Sequence, residues 1–453
     1  MLKTFKIGGI HPEENKISAA SSIEVMPIPS EVKIPLAQHI GKPAQPIVAV
    51  GDVVKVGQLI AKADGFVSAN VHSSVSGKVT KIEDFIDGNG YKKSAIVIAV
   101  EGDEWDDSIN RTSDIVNDIK LSPSDIISKI GEMGLVGMGG ATFPTHVKLS
   151  VPPGKKCEFL IINGVECEPY LTSDHRLMLE HGEEVMIGIK ILMTALSVDK
   201  AIIGIENNKP DAIKHLTELS SKYAGITVQP LKLKYPQGGE KQLIDACTGR
   251  QIPSGKLPID VGAVVQNVGT AYAVYEAIQK NKPLIERIVC VTGKPLQKPS
   301  NLLVRVGTSV KEAINYAGGI PEDCGKVIGG GPMMGRAFTH LDVPVTKGTS
   351  GILVMNKKES QRPEVANCIR CAKCVGVCPM GLEPYLISKL SGKSMWDEAQ
   401  EHRIMDCIEC GSCNFTCPSN RPLLDYIRLG KNKVGAILRA KAAEAKCAAD
   451  AKK

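Results

Sequence analysis

The sequence predicts a multidomain α/β protein: an all-β module, then an α/β layer domain with a largely parallel sheet, then a small α+β insert, and last a helical, cysteine-bearing domain. Three observations carry this expectation. Residues 45–82 alternate short β-branched runs with Gly-Asp, Val-Gly, Asp-Gly and Ser-Gly turns. Apolar strand candidates alternate with helical stretches from 157 to 292. Eight of the fourteen cysteines fall in two matched runs near the C-terminus. A chain of 453 residues is too long for one core, and three or four domains are expected.

Apolar content of 43% with 4% aromatic residues is globular. No stretch approaches the ~18 uninterrupted apolar residues of a membrane span, so a soluble protein is expected. The opening MLKTFKIGGIHPEENK has no apolar core and does not read as a secretory signal, which places the chain in the cytosol. The formal charge of +6 is local: residues 428–453 hold eight Lys or Arg and two acids, the whole imbalance. This basic, Ala-rich tail reads as solvated coil or helix, coil being the simpler expectation. Near an anionic leaflet each basic residue adds roughly 1 kcal/mol of attraction. No aromatic residues interleave with its charges after Tyr426, so nucleic acid is not an expected partner.

The β module is assigned to residues 1–105. Its cadence GDVVKVGQLIAKADG…VSGKV resembles the barrel-sandwich fold of biotinyl and lipoyl carriers, where a lysine sits on the central hairpin turn. Here that turn is Asp64-Gly65-Phe66, so a structural module is expected rather than a swinging arm. After an acidic linker around 101–118, Ser122-Pro123-Ser124-Asp125 supplies an N-cap, a proline at the first helical position and an acid near the positive helix end. Strand candidates at 157–163, 200–206, 226–233 and 285–292 alternate with helices at 180–196, 209–223 and 270–280, the pattern of an α/β domain over 119–283. Residues 284–345 shift to short strands, one helix near 310–317 and the turn IGGGPMMG, whose glycines 329–331 are expected to be structural.

Cys368-x-x-Cys371-x-x-Cys374-x-x-x-Cys378-Pro379 recurs as Cys407-x-x-Cys410-x-x-Cys413-x-x-x-Cys417-Pro418, every cysteine displaced by 39. This is the spacing of bacterial two-cluster ferredoxins, in which the fourth cysteine of each run reaches the other cluster. Cys368, Cys371, Cys374 and Cys417 are therefore assigned to one [4Fe–4S] cluster, and Cys407, Cys410, Cys413 and Cys378 to the other. Structural zinc uses two spaced pairs per metal and fits two matched quartets poorly. Between the runs, Leu382, Tyr385, Leu386, residues 388–390 and Trp396 lie near helical spacing, so the ferredoxin-type domain, 358–427, is expected to be helical.

Cubane clusters take one electron at a time, and flavin is the converter that links them to hydride chemistry. GLVGMGGATFPTHVK, residues 134–148, places four glycines between 134 and 140. It lacks the third glycine of a Rossmann fingerprint and the Gly-Lys-Ser/Thr of a P-loop. On spacing alone it is equally a structural turn or a cradle whose glycines admit close backbone approach, with Lys148 near a phosphate.

This loop, followed by FLIINGVECEPYLTSDHRLM, resembles the flavoprotein subunit of respiratory NADH dehydrogenase, as do YPQGGEKQLI (235–244), VVQNVGTAYAV (264–274) and a β-grasp region starting VCVTGKP. With the opening GGIHPEENK, the β module without its lysine and the two cysteine runs, nearly the whole chain resembles the C subunit of the Rnf complex. The resemblance implies a peripheral subunit on the cytoplasmic face of the cell membrane, binding FMN, NAD(H) and two [4Fe–4S] clusters. It implies membrane and peripheral Rnf subunits as partners, and coupling of ferredoxin:NAD electron transfer to Na⁺ or H⁺ translocation.

It also implies site residues. Gly137, Gly139, Gly140, Ala141 and Lys148 would surround the FMN phosphate and NAD, and Phe143 would lie against the nicotinamide nucleotide. Asn163, Glu166 and Glu168 would face the flavin, the two glutamates as the catalytic candidates. Gly238, Gly239, Glu240 and Lys241 would complete the pocket, and Gln266, Asn267 and Thr270 would bind FMN. Three positions depart from the NADH dehydrogenase pattern: Val165 replaces an Asp, Lys241 replaces a Glu, and Leu149-Ser150-Val151 lacks an aromatic. A lysine in place of a carboxylate favours reduced, anionic flavin. Two other readings fit parts of the sequence: a flavoprotein subunit of a soluble NADH dehydrogenase or hydrogenase, and a cluster-bearing docking scaffold with a vacant nucleotide pocket.

Overall fold

The computed structural model describes residues 2–450. The first eight strands are β1 (Ile23–Val25), β2 (Glu31–Pro35), β3 (Gln45–Pro46), β4 (Val53–Val54), β5 (Leu59–Lys62), β6 (Val71–His72), β7 (Gly77–Ile86) and β8 (Lys92–Val100). Seven of them form two small sheets, β2-β8-β7-β4 and β3-β5-β6. Alternation along the strands turns Val32, Ile34, Ile60, Val79, Ile96 and Ile98 into one shared core. The eight-residue connection between β5 and β6 turns at Gly65, which has φ +102°, a conformation that costs glycine little.

The α/β domain opens with α1 (Pro123–Glu132), capped by Ser122, whose Oγ accepts the Asp125 N–H at 3.3 Å. There follow α2 (Thr145–Leu149), β9 (Phe159–Asn163), α3 (Ser173–Glu180), α4 (Gly182–Leu196), β10 (Ala201–Glu206), α5 (Pro210–Ser220), β11 (Ile226–Leu231), α6 (Glu240–Thr248), β12 (Ala263–Asn267) and α7 (Val268–Gln279). The sheet order is β11-β10-β9-β12, all parallel. Period-two alternation sends Leu160, Ile162, Ile203 and Val264 to the face covered by α1, α4 and α7, and Ile161, Val265 and Ala263 to the face covered by α6. The chain runs outward from β9 through β10 to β11 and then returns to place β12 on the other side of β9. That reversal opens a crevice beyond the C-terminal ends of β9 and β12, where open α/β sheets bind ligands.

One strand expectation needs correction, and one strand is unexpected. The run at 285–292 does not join the parallel sheet; the fourth parallel strand is β12, whose last residue, Asn267, is also the N-cap of α7. With no turn residue between strand and helix, the boundary signal is confined to the N-cap Asn267 itself. The 285–292 run becomes β13 (Glu286–Thr292), captured by its hairpin partner β14 (Ser300–Arg305) in a six-pair antiparallel register. After α8 (Val310–Tyr316) come β15 (Cys324–Gly329), β16 (Arg336–Ala337), β17 (Gly351–Asn356) and α9 (Lys357–Ser360). The resulting mixed sheet, β1-β14-β13-β17-β15-β16, reaches beyond 284–345 at both ends, because β1 arrives from the N-terminal segment and β17 from past 345.

The last domain is helical, with α10 (Lys373–Gly376), α11 (Pro384–Gly392), α12 (Trp396–Glu401), α13 (Ser412–Phe415) and α14 (Leu423–Asp450). The sequence repeat is also a backbone repeat. Arg370 and Glu409, Ala372 and Gly411, and Gly381 and Asn420 all have positive φ, each pair at the spacing of the cysteines. The tail is helix rather than coil: α14 starts on Leu423, Leu424 and Ile427 packed in the domain, and the Ala-rich stretch continues it. Lys452 and Lys453 lie outside the described residues.

The contact of α4 with α7 leaves no room at Gly188, where a Cβ would lie 1.9 Å from the Ala271 carbonyl oxygen. Gly188→Ala is therefore expected to destabilise the chain by about 1–3 kcal/mol, read as a lowered urea midpoint.

Candidate functional site

Four segments converge on the crevice. The glycine loop is closed at its base, where the Gly137 N–H donates to the Phe143 carbonyl at 2.9 Å and the Thr145 N–H to that of Leu135 at 3.0 Å. Its tip is clamped through Met138, whose N–H donates to Thr270 Oγ1 at 3.0 Å and whose carbonyl accepts Arg287 Nη2 at 2.8 Å. Gly140, at φ +116°, faces open space, so its backbone is free to approach a ligand. Asn163 and Asn267 end β9 and β12 in register. Asn163 Nδ2 donates to the Gly238 carbonyl at 2.8 Å, tying in the 237–241 turn that starts α6. Lys148 Nζ meets Glu240 Oε1 at 2.6 Å across the mouth.

The expected residues Gly137, Gly139, Gly140, Ala141, Phe143, Lys148, Asn163, Gly238, Gly239, Glu240, Lys241, Gln266, Asn267 and Thr270 thus lie on segments gathered at one end of the sheet. The two glutamates are not brought together. Glu166, at φ +46°, turns its carboxylate onto the start of α3, accepting the N–H groups of Asp174 at 2.8 Å and His175 at 3.2 Å. Glu168 reaches the other way, accepting the Met333 and Met334 N–H groups at 3.1 and 2.7 Å from the glycine turn after β15. Burial pushes its pKa up despite those donors. Val165 is fully buried in the α6-side core, so an apolar contact stands at that departure.

Three functional residues carry little signal in the sequence. Arg287 follows Glu286 at the start of an otherwise apolar strand, an irregularity that points to a buried partner; it holds Met138 and, through Nε, the Thr349 carbonyl at 3.0 Å. Asp174 has the look of an ordinary helix-start acid. It accepts Asn267 Nδ2 at 2.7 Å, and burial, with Glu166 second, raises it to about 6. Tyr235 is buried, and its hydroxyl donates to the Cys410 carbonyl at 2.7 Å and lies 3.4 Å from Glu168 Oε1.

The crevice fits a flavin nucleotide. Gln266 Nε2 is buried without a partner among the described residues, a donor in need of an acceptor, and Gly140 leaves room for a phosphate. The cysteines also fall into sets. Cys378, Cys407, Cys410 and Cys413 line one apolar cavity. There burial pushes the Cys407 thiol up to about 11 and raises Cys410 and Cys413 as well, so bare thiolates are unfavourable and bound iron would supply the compensating charge. Cys374 is raised by burial and also by its neighbour Cys417, while Cys368 and Cys371 are exposed.

Comparison with known proteins gives four domain matches: an RnfC barrel sandwich hybrid domain over 3–103, a Nuo51 FMN-binding domain over 130–276, an SLBB domain over 288–337 and a 4Fe-4S dicluster domain over 362–419. The chain is 49% identical over 405 residues to the C subunit of the proton-translocating ferredoxin:NAD(+) oxidoreductase complex of Clostridium ljungdahlii, covering 88% of this chain and 87% of that one. The chain belongs to the RnfC family. Another member, from the Na(+)-translocating complex of Acetobacterium woodii, is 45% identical over 95% of this chain and 97% of its own. The C subunit of the ion-translocating oxidoreductase complex of Rhodobacter capsulatus is 42% identical over 85% and 74%. A solved NAD+-reducing [NiFe]-hydrogenase aligns at TM-score 0.47 and 18% identity over 69% of this chain and 63% of that one, too distant to show a shared architecture. As an RnfC-family chain it carries FMN and two [4Fe–4S] clusters.

The cavity grouping makes a cross-ligation prediction. Cys378→Ala should remove chiefly the cluster held by Cys407, Cys410 and Cys413, leaving the EPR signal of the other; the reverse pattern would refute the assignment.

Proposed function

We propose that the chain is the peripheral electron-transfer subunit of a membrane-bound, ion-translocating ferredoxin:NAD oxidoreductase, exchanging hydride between NAD(H) and FMN and single electrons between FMN and its clusters. The observation that carries this reading is the junction at Tyr235 and Glu168. Glu168 lies on the segment leaving β9 at the crevice, Tyr235 touches both it and Cys410, and Cys410 lines the inner cluster cavity.

FMN, when bound, exchanges two electrons as hydride with a nicotinamide and one at a time with iron–sulfur clusters. The loop backbone around Gly140 and the ammonium of Lys148 would bind its phosphate, Lys148 being released from Glu240 to do so. The free amide N–H of Gln266 would donate to it, while Asn163 and Asn267 fix the crevice floor. Phe143 closes the loop above, and Glu166, held by the start of α3, keeps the 163–168 segment in place. Glu168 is pinned by Met333, Met334 and Tyr235 between crevice and clusters.

No helix among the described residues is long and apolar enough to cross a membrane. In this reading the chain sits on the cytoplasmic face against other subunits of the complex, which carry the ion, and ferredoxin serves as the one-electron partner of the assembly.

Reconstituted protein should release one FMN on denaturation and reduce ferricyanide with NADH; absence of both overturns the proposal. Lys148→Ala should weaken FMN binding about tenfold to a hundredfold, the worth of a charge-assisted hydrogen bond, measured by flavin fluorescence on titration.

A further inference from the structure

Behind the crevice, β10 ends on Glu206, which is completely buried. Oε1 accepts the Lys234 N–H at 3.1 Å, but Oε2 has no partner among the described residues. Glu206 lines a small cavity with His11, Glu14, Lys16, Cys167 and Asn208. The wall between cavity and crevice is the 163–168 segment: Asn163 stands on the crevice side, Cys167 on the cavity side. That wall is held from behind, by Lys209 Nζ on the Val165 carbonyl at 2.8 Å and by Lys16 Nζ on the carbonyls of Glu166 and Glu168 at 2.8 and 2.9 Å. His11, at the outer end, is exposed.

The surrounding charges do not satisfy Glu206. Lys16 donates to three carbonyls and Lys209 to a carbonyl and Asn208 Oδ1. Glu14 is occupied by Asn208 Nδ2 at 2.6 Å, and Lys234 Nζ lies over the Phe5 ring. A buried carboxylate with a free oxygen is costly, and a carboxylic acid is not. Burial pushes Glu206 up to about 7 against the opposing pull of Lys209, so it changes charge near neutrality. Cys167 and Tyr235 are both driven upward and stay neutral there.

Resting on the flavin reading above, we propose that Glu206 is the internal proton acceptor of the flavin reaction, with the cavity as its route to solvent. The balance requires such a group. Hydride transfer from NADH to FMN takes up one proton, and return of the two electrons to two clusters releases two, a net release of one proton per NADH. Glu206 Oε2 takes a released proton as a carboxylic acid and yields it to solvent through the cavity past His11.

Infrared difference spectra of the FMN- and cluster-loaded chain, oxidised minus NADH-reduced, test this. The expected result is a protonated-carboxyl band, shifted in D2O, that is present in the wild type and absent in Glu206→Gln, with proton release to a pH indicator slowed about tenfold. Lys209→Met, which removes a nearby positive charge, should move the pH midpoint of the band upward; a carboxyl with a merely structural role does not change protonation on reduction and gives no difference band to shift, and this readout holds if the first variant loses flavin. A band unchanged in Glu206→Gln, or a midpoint unmoved in Lys209→Met, overturns the proposal alone. A wild type that retains FMN but is not reduced by NADH overturns the functional reading, and this proposal with it.

Discussion

The crevice depends on one backbone residue. Met138 gives its N–H to Thr270 at the start of α7 and its carbonyl to the buried guanidinium of Arg287 on β13, so the glycine loop is gripped at once by a helix of the α/β domain and a strand of the mixed sheet. Glycines 137, 139 and 140 bring freedom that a binding loop needs and a stable loop does not. The clamp removes that freedom at one point and leaves Gly140 open. Arg287 has no ion-pair partner within contact among the described residues, so its charge is spent on carbonyls, with burial opposing it and the carboxylates of Asp174 and Glu166 supporting it from further off. One strand of the mixed sheet thereby shapes a site on the parallel sheet. The clamp also gives the two domains a shared energetic stake in the loop, since losing Arg287 leaves the buried Met138 carbonyl and the half-buried Thr349 carbonyl without that donor.

The electron path has a built-in asymmetry. The set Cys378, Cys407, Cys410 and Cys413 is mostly buried and abuts the flavin domain, where Gln242 Nε2 donates to the Pro379 carbonyl at 3.2 Å. The other set keeps Cys368 and Cys371 exposed. A cluster in the inner cavity is shielded from solvent and suited to exchange with the flavin; one at the outer site is reachable by a second protein. Burial also has an electrostatic consequence, because an apolar surround disfavours the more charged state of a cluster. The two clusters therefore need not share a potential even though their ligand spacing is identical.

Much of this was legible in the residues. The cysteine repeat recurs in the backbone as three pairs of left-handed residues, and Ser122-Pro123 starts a helix where its chemistry requires one. The site segments that the loop resemblance named do gather at one sheet end. What escaped the sequence was decided by long-range pairing. The run 285–292 reads as another strand of the parallel sheet until its hairpin partner is seen, and β12 hides because Asn267 ends a strand and caps a helix at once. Glu166 and Glu168 sit two residues apart, yet the positive φ of Glu166 sends them to different neighbours, a turn that residue identity alone does not reveal.

The opening Gly-Gly pair shows why the N-terminal segment belongs to the electron path and not only to the β module. Gly8 has φ +67°, and a Cβ there would lie 2.6 Å from the Cys378 backbone. The Gly9 N–H donates to the Val377 carbonyl, and Ile10 exchanges two hydrogen bonds with Tyr235. A strap without side chains at 8 and 9 can therefore lie directly on Cys378, the residue proposed as the fourth ligand of the inner cluster, while pairing with the tyrosine that bridges to Glu168. Any side chain at position 8 would push the strap off Cys378 and, through Ile10, disturb Tyr235. The same few residues thus set the separation of flavin crevice and inner cluster, the quantity to which one-electron exchange is most sensitive. They then continue through His11 and Lys16 to form one wall of the Glu206 cavity, so electron and proton routes share a single structural support.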